Sequence, residues 1–131
     1  MKLRIKDNSF RFRVTLSEVD LLREARRIEA AASFPGTDGG SSTLTYAVEI
    51  DEEIGEGRIE ITGSKLTLRL SPEEYRELAD PSREGVYLRR EWIDARGAAR
   101  RSIAFIEKDR PGSSCDKPEY WIYEDPSVSK S

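Results

Sequence analysis

The sequence predicts an α+β domain in which an antiparallel sheet is covered on one face by two helices, in the order ββαβββαββ. Two observations carry this prediction: apolar and polar residues alternate with period two along several short stretches, and two segments show helical spacing behind a capping residue. The chain has 131 residues, 37% of them hydrophobic and 36% charged, which suits one domain with a strongly ionic surface. We expect residues 1–110 to form this single domain and residues 111–131 to form an extended C-terminal tail.

The first two strands are predicted to form a hairpin around the two-residue loop Asp7-Asn8. Its apolar side chains alternate with basic ones, so one face of the hairpin is apolar and the other carries Lys2, Arg4, Lys6, Arg11 and Arg13. The expected register sets Arg4 opposite Arg11. Like charges in that position repel by up to roughly 1 kcal/mol per pair. We therefore expect compensation, either from carboxylates on a neighbouring strand or from a bound anion.

A helix is predicted next, with Ser17 as its N-cap and an apolar stripe formed by Val19, Leu22, Ala25 and Ile28. Residues 33–42, "SFPGTDGGSS", are rich in turn-forming residues and predict a loop.

Three further strands are predicted as a meander over "STLTYAVEI", "GRIEIT" and "SKLTLRL". A Gly63-Ser64 loop would place Arg58 opposite Arg69, with Glu49 and Glu60 as the nearest carboxylates. The second helix is signalled by "SPEEYRELAD", in which Ser71 and Glu74 form a capping box and Pro72 occupies the first helical position. Two strands linked by "DARG" follow, and we expect Ile103 and Phe105 to face the core.

The composition restricts the chemistry. The absence of histidine removes the commonest general base and zinc ligand, and Cys115, the single cysteine, has no basic neighbour that would activate it. The acidic run 51–57 lacks the spacing of a calcium loop. We therefore expect no catalytic residues, no metal site and no cofactor, and the sequence favours a non-enzymatic role.

Charge and hydropathy restrict the partners. A formal charge of −3 and a pI near 5.2 disfavour nucleic acid, and no apolar stretch predicts a leader or a membrane span. A cytoplasmic location is expected. The aromatic cluster Tyr120–Tyr123 in the tail and exposed sheet edges suggest a homodimer, although packing of the tail on its own domain is the favoured alternative.

Several segments resemble a family of short bacterial proteins known as domain of unknown function 7009. They are "KLRIKDNSFRFRVTLSEVD", "SSTLTYAVEI", "GRIEITGSKLTLRL" and "FIEKD" followed by Cys115, and the likeness extends to about residue 116. The resemblance implies a stand-alone bacterial domain. It implies no activity, so no residue acquires a role from it.

Two hypotheses of function follow from the residues. In the first, the protein is a binding or regulatory module whose basic sheet face holds an anionic small molecule or an acidic protein surface, through Lys2, Arg4, Arg11, Arg13, Arg58 and Arg69. Arginine suits such a site because its planar fork binds carboxylate or phosphate with two parallel hydrogen bonds. The alternative is a metal-dependent phosphohydrolase resembling the triphosphate-tunnel enzymes. That function would require Glu49 and Glu60 as metal ligands.

Overall fold

The structure is a computed structural model that describes residues 1–109. Its elements follow one another as two strands, a helix, four strands, a helix and two strands. In chain order they are β1 (Lys2–Lys6), β2 (Ser9–Thr15), α1 (Leu16–Ala25), β3 (Arg27–Pro35), β4 (Ser41–Ile50), β5 (Arg58–Thr62), β6 (Lys65–Leu70), α2 (Pro72–Ala79), β7 (Gly85–Ile93) and β8 (Ala99–Asp109). The predicted tail and Cys115 lie outside the described residues.

The strands form two four-stranded sheets: sheet A has the order β1-β2-β8-β7, and sheet B has the order β3-β4-β6-β5. In each sheet the two central strands are parallel and the outer pairs are antiparallel. The α+β class is confirmed. The single antiparallel sheet was wrong, because both sheets are mixed, and the two helices do not lie on one face, since each contacts strands of both sheets.

The predicted order lacked one strand, β3. Helix α1 ends at Ala25, where Arg26 adopts a left-handed conformation (φ 65°), and the chain continues as a strand through the segment expected to be helix and loop. Ile28 fits a helical stripe by spacing but is buried on β3. The N-cap is Thr15 rather than Ser17: its hydroxyl accepts from the Glu18 amide, and the Glu18 carboxylate accepts from the Thr15 amide.

Both predicted hairpin registers are confirmed, with Arg4 opposite Arg11 and Arg58 opposite Arg69. The meander was wrong, because β4 pairs in parallel with β6 and leaves β5 at the sheet edge. The orientation of β8 was also wrong. Ala104 and Ile106 are buried, while Ile103 and Phe105 lie on the outer face. The prediction failed because the apolar run "IAFI" has no alternation that shows which residues face the core.

The described chain contains two structurally equivalent ββαββ repeats, residues 2–51 and 58–109. Thr15 and Ser71 are both N-caps with complete capping boxes, 56 positions apart. Equivalent residues of the second hairpins, β3–β4 and β7–β8, are 58 positions apart. The same hydrogen bond occurs in both: the Ile50 amide donates to the Arg26 carbonyl, and the Lys108 amide donates to the Glu84 carbonyl, both at 2.9 Å.

Each sheet combines the first hairpin of one repeat with the second hairpin of the other, so the repeats exchange hairpins. Equivalent residues accordingly fill equivalent places in the core. Phe12 matches Leu68 and Val48 matches Ile106, and all four are fully buried. The two helices meet where the Tyr75 hydroxyl donates to the carbonyl of Val19 at 2.7 Å. Within residues 1–109, neither helix is long and apolar enough to cross a bilayer.

Candidate functional site

The structure divides the six predicted binding residues between the two sheets. Lys2, Arg4, Arg11 and Arg13 come together on the outer face of sheet A, the face turned away from the core. Arg58 and Arg69 lie on the outer face of sheet B. A single site of six residues therefore does not form, although the first four share a surface as the alternation predicts.

Carboxylates of β8 compensate the cations of β1 and β2. The Nε atoms of Arg11 and Arg13 both donate to Glu107 Oε1 at 2.6 Å, and Arg13 also reaches Asp109 at 3.1 Å. The ammonium group of Lys2 lies 3.4 Å from the same aspartate. Because Glu107 and Asp109 are both buried, these contacts offset the cost of desolvating the two carboxylates. The repulsion expected in this hairpin is thus relieved within the sheet.

Arg69 occupies the equivalent position on sheet B. It donates to Glu60 at 2.6 Å and to Glu49 at 2.7 Å, and it lies 3.4 Å from Asp51. Two hydrogen bonds hold the pKa of Glu60 below its ordinary value of 4.5. The bond from Arg69 has the larger effect, and the bond from Arg58 adds to it. The bond to Glu60 in turn raises the pKa of Arg69. Cations and carboxylates therefore balance on this sheet.

The phosphohydrolase alternative required Glu49 and Glu60 as metal ligands. Both carboxylates bind the Arg69 guanidinium instead. Among residues 1–109 no group of three or more acidic, histidine or cysteine side chains is placed to hold a metal ion.

Charge on the outer face of sheet A is strongly asymmetric. We call this surface the basic face. The strand registers place seven cations on it, namely Lys2, Arg4, Lys6, Arg11, Arg13, Arg89 and Arg101, against the three carboxylates Glu91, Glu107 and Asp109. The surplus of four positive charges contrasts with the formal charge of −3 for the whole chain. A locally positive surface on an acidic protein can select and orient a negatively charged partner.

Two cations of the basic face, Lys6 and Arg101, form no ion pair within the described part of the chain. They flank a shallow depression of about 260 Å³ between the β1–β2 turn and β8, whose lining of Lys6, Asp7, Asn8, Ser9, Arg101 and Ile103 carries two cations and one carboxylate. Both side chains are exposed. The depression is thus the part of the basic face best suited to receive a carboxylate from outside.

Aromatic side chains lie beside Arg11 on the basic face. The rings of Tyr87 and Phe105 are 5.1 Å apart, and the Arg11 guanidinium lies 6.0 Å from the centre of the Phe105 ring. Tyr87 is 67% exposed although it is in a strand. Exposed tyrosine next to arginine is typical of the residues that dominate binding energy at protein interfaces.

Sequence reasoning missed Lys6, Arg89 and Arg101 as site residues. The hairpin alternation already placed Lys6 on the polar face, so that signal was present. No local pattern indicates that β8 lies beside β2, because the two strands are about 95 residues apart. The contribution of Arg89 and Arg101 follows only from the tertiary pairing.

Comparison with known proteins identifies a family but no activity. The chain matches no curated protein and no solved structure. A family model matches residues 1–111, which are most of the chain. The protein therefore belongs to the DUF7009 family, a family of unknown function.

Proposed function

We propose that this protein is a non-enzymatic binding module that recognises an acidic protein surface through its basic face. The observation that carries the proposal is the surplus of four positive charges on one sheet face of a chain with a formal charge of −3. Such a surface accelerates encounter with an acidic partner and disfavours basic ones.

The shape of the basic face favours a protein over a small anion. Its cations are spread over four strands, which at the usual strand spacing cover roughly 14 Å in the direction across the sheet. Small-molecule sites are concave, and their polar groups converge on one ligand. Here the depression between Lys6 and Arg101 is shallow and has room for one acidic side chain of a larger partner.

The ion pairs of the basic face hold its arginine side chains in the positions in which they would bind a partner. Glu107 fixes Arg11 and Arg13 through their Nε atoms, and Arg11 remains 44% exposed. Their guanidinium groups are therefore held in place before a partner arrives. Binding then loses less side-chain entropy than it would with freely rotating arginines.

Peptide binding tests the proposal. A fluorescently labelled peptide of alternating glutamate and serine should bind the full chain with an affinity that falls as salt rises, because exposed charges are screened. The double variant Lys6→Glu/Arg101→Glu should bind at least tenfold more weakly in fluorescence anisotropy. Neither residue has an ion-pair partner among residues 1–109, so this variant should fold normally.

The repeat supplies a matched control. Thr62 and Thr43 occupy the positions on sheet B that correspond to Lys6 and Arg101. Thr62→Glu/Thr43→Glu adds carboxylates at equivalent places and should leave peptide affinity within twofold of the parent. Absence of saturable binding to the parent, or equal loss in the two double variants, would overturn the proposal.

A further inference from the structure

At one end of the molecule, the inner face of the β7–β8 hairpin extends past the buried core. Along the inner face of β7, Val86 and Leu88 are buried, but Trp92, four residues after Leu88, is 41% exposed. On the opposing edge strand β5, Ile61 is 63% exposed. Large apolar side chains from both sheets therefore face a common space that the core does not fill.

This space is a groove of about 370 Å³. Its apolar lining consists of Phe10, Ile59, Ile61 and Trp92, and its polar lining of Asn8, Arg100 and Ser102. A second depression of about 560 Å³ shares Trp92 and Arg100 with it and continues around the hairpin tip. The volumes lie in the usual range for small-molecule sites, which are mostly apolar with a few polar groups that fix orientation.

Arg100 determines the charge of the groove. It is 57% exposed and forms an ion pair with Asp94 through Nε at 3.2 Å. Its two terminal nitrogens donate no hydrogen bond within residues 1–109, so they can bind the two oxygens of a carboxylate. The distal part of the hairpin that carries it, residues 89–101, has a positive surplus: Arg89, Arg90, Arg96, Arg100 and Arg101 stand against Glu91 and Asp94.

The equivalent positions of the first repeat carry apolar residues but no cation. The position equivalent to Trp92 is Phe34, and the position equivalent to Ile61 is Ile5; both are about half exposed. The position equivalent to Arg100, however, is Ser42. Shared architecture thus accounts for apolar side chains at both ends, whereas the cation is specific to one end and needs a separate explanation.

We infer that the groove at the β7–β8 hairpin binds an amphipathic carboxylic acid, with its hydrocarbon body against Ile61 and Trp92 and its carboxylate on Arg100. The groove lies on the inner side of sheet A and none of the seven cations of the basic face lines it, whereas the second depression reaches Glu91 and Arg101 of that face around the hairpin tip. The inference goes beyond the proposed function and does not depend on it.

Octanoate and its uncharged analogue 1-octanol test this assignment. The chain has two tryptophans, so Trp121→Phe leaves Trp92 as the single reporter of the groove. In this background octanoate should change the Trp92 emission saturably and raise the unfolding temperature. Octanol should bind at least fivefold more weakly. Equal affinity for the two, or no saturable change with octanoate, would overturn the carboxylate assignment.

Three variants locate the site. Arg100→Ser, which installs the residue of the other repeat, should weaken octanoate binding about tenfold and leave octanol binding unchanged. Ile61→Ala should weaken both, whereas Ile5→Ala at the equivalent position should weaken neither. Equal effects of Ile61→Ala and Ile5→Ala would place binding elsewhere and refute the groove. The side chains of Ile5, Ile61 and Arg100 are each about half exposed or more, so the three variants should remain folded. Measuring their unfolding temperatures checks this.

Discussion

The two repeats of this molecule have the same backbone plan but distribute charge differently. Their shared features have identifiable structural roles. Asp7 and Gly63 both take a positive φ, 53° and 59°, at the first position of a two-residue hairpin loop. Thr15 and Ser71 cap the two helices in the same way. Features that occur twice are therefore explained by the fold.

The arginine clusters belong to this shared set. Arg13 binds Glu107 and Asp109, and Arg69 binds Glu49 and Asp51 at equivalent positions. In each case the arginine and its two carboxylates come from different repeats. The clusters thus join the repeats. Their duplication indicates that Arg13 and Arg69 serve stability first.

The features that occur once point to function. Five arginines of the β7–β8 hairpin have uncharged or acidic equivalents in the β3–β4 hairpin: residues 89, 90, 96, 100 and 101 correspond to Ala31, Ala32, Asp38, Ser42 and Thr43. The two connecting loops have the same length, so the hairpins differ in chemistry rather than in backbone. This difference separates residues that build the fold from residues available for recognition.

The largest expected effect concerns Gly85, whose equivalent in the first repeat is Arg27. A Cβ at Gly85 would overlap the Ile106 carbonyl oxygen and lie 2.8 Å from the Glu107 Cα. Gly85→Ala should therefore force β7 away from β8 and lower the free energy of unfolding by about 3 kcal/mol in urea denaturation. Gly55→Ala is the control, because nothing lies within 4 Å of the added carbon. Equal stability of the two variants would contradict this close approach.

Next in size are Arg13→Ala and Arg69→Ala. Each removes one cation from a cluster in which Arg11 still binds Glu107 or Arg58 still binds Glu60, and removing one partner of a fully buried pair costs about 3–5 kcal/mol. Because the arginines are 21% and 29% exposed, we expect a smaller loss of about 2 kcal/mol for each in urea denaturation. Losses that differ by more than about 1 kcal/mol would show that the two clusters are not energetically equivalent.

The helix caps should have an intermediate effect. Thr15→Ala and Ser71→Ala each remove the acceptor for an amide in the first helical turn, which costs about 1 kcal/mol. Ser71 is 2% exposed, whereas Thr15 is open to water that can replace the lost hydroxyl. Thermal unfolding should therefore show the larger loss for Ser71→Ala. The reverse order would contradict the importance of burial at these caps.

The smallest effect concerns pH and Glu60, whose equivalent in the first repeat is Arg4. The pKa of Glu60 is lowered in the folded state by Arg69 and then Arg58, so the fold favours its carboxylate form. This contribution is present above the unfolded pKa and is lost as pH falls through the folded pKa. The stability difference between the parent and Glu60→Gln should thus be measurable at pH 7 and should shrink below pH 4.5. A difference independent of pH would refute the linkage.

Short-range chemistry was sufficient to predict part of this structure from the sequence. Both hairpin registers follow from a two-residue loop and period-two alternation, and the box at Ser71 and Glu74 follows from residue types three positions apart. Strand β3 was not predicted, because its alanines fit either a helix or a strand. The two capping boxes, 56 residues apart, were the available signal of a repeat.

The candidate sites were only partly predictable. Alternation placed Lys2, Arg4, Arg11 and Arg13 on one face, but it could not show that Glu107 and Asp109 lie beside two of them. Arg58 and Arg69 have the same local pattern and lie on the other sheet. The groove depends on β5 facing β7, a contact between sheets that no local pattern encodes.

The exchange of hairpins between the repeats has a consequence for synthesis on the ribosome. Strand β2 pairs with β1, its neighbour in the sequence, yet its second neighbour, β8, emerges about 95 residues later. Until then the nascent chain exposes a strand edge and the apolar side of that hairpin, the circumstances in which incomplete chains associate wrongly. Completion of sheet A is therefore a late event in the folding of the newly made protein.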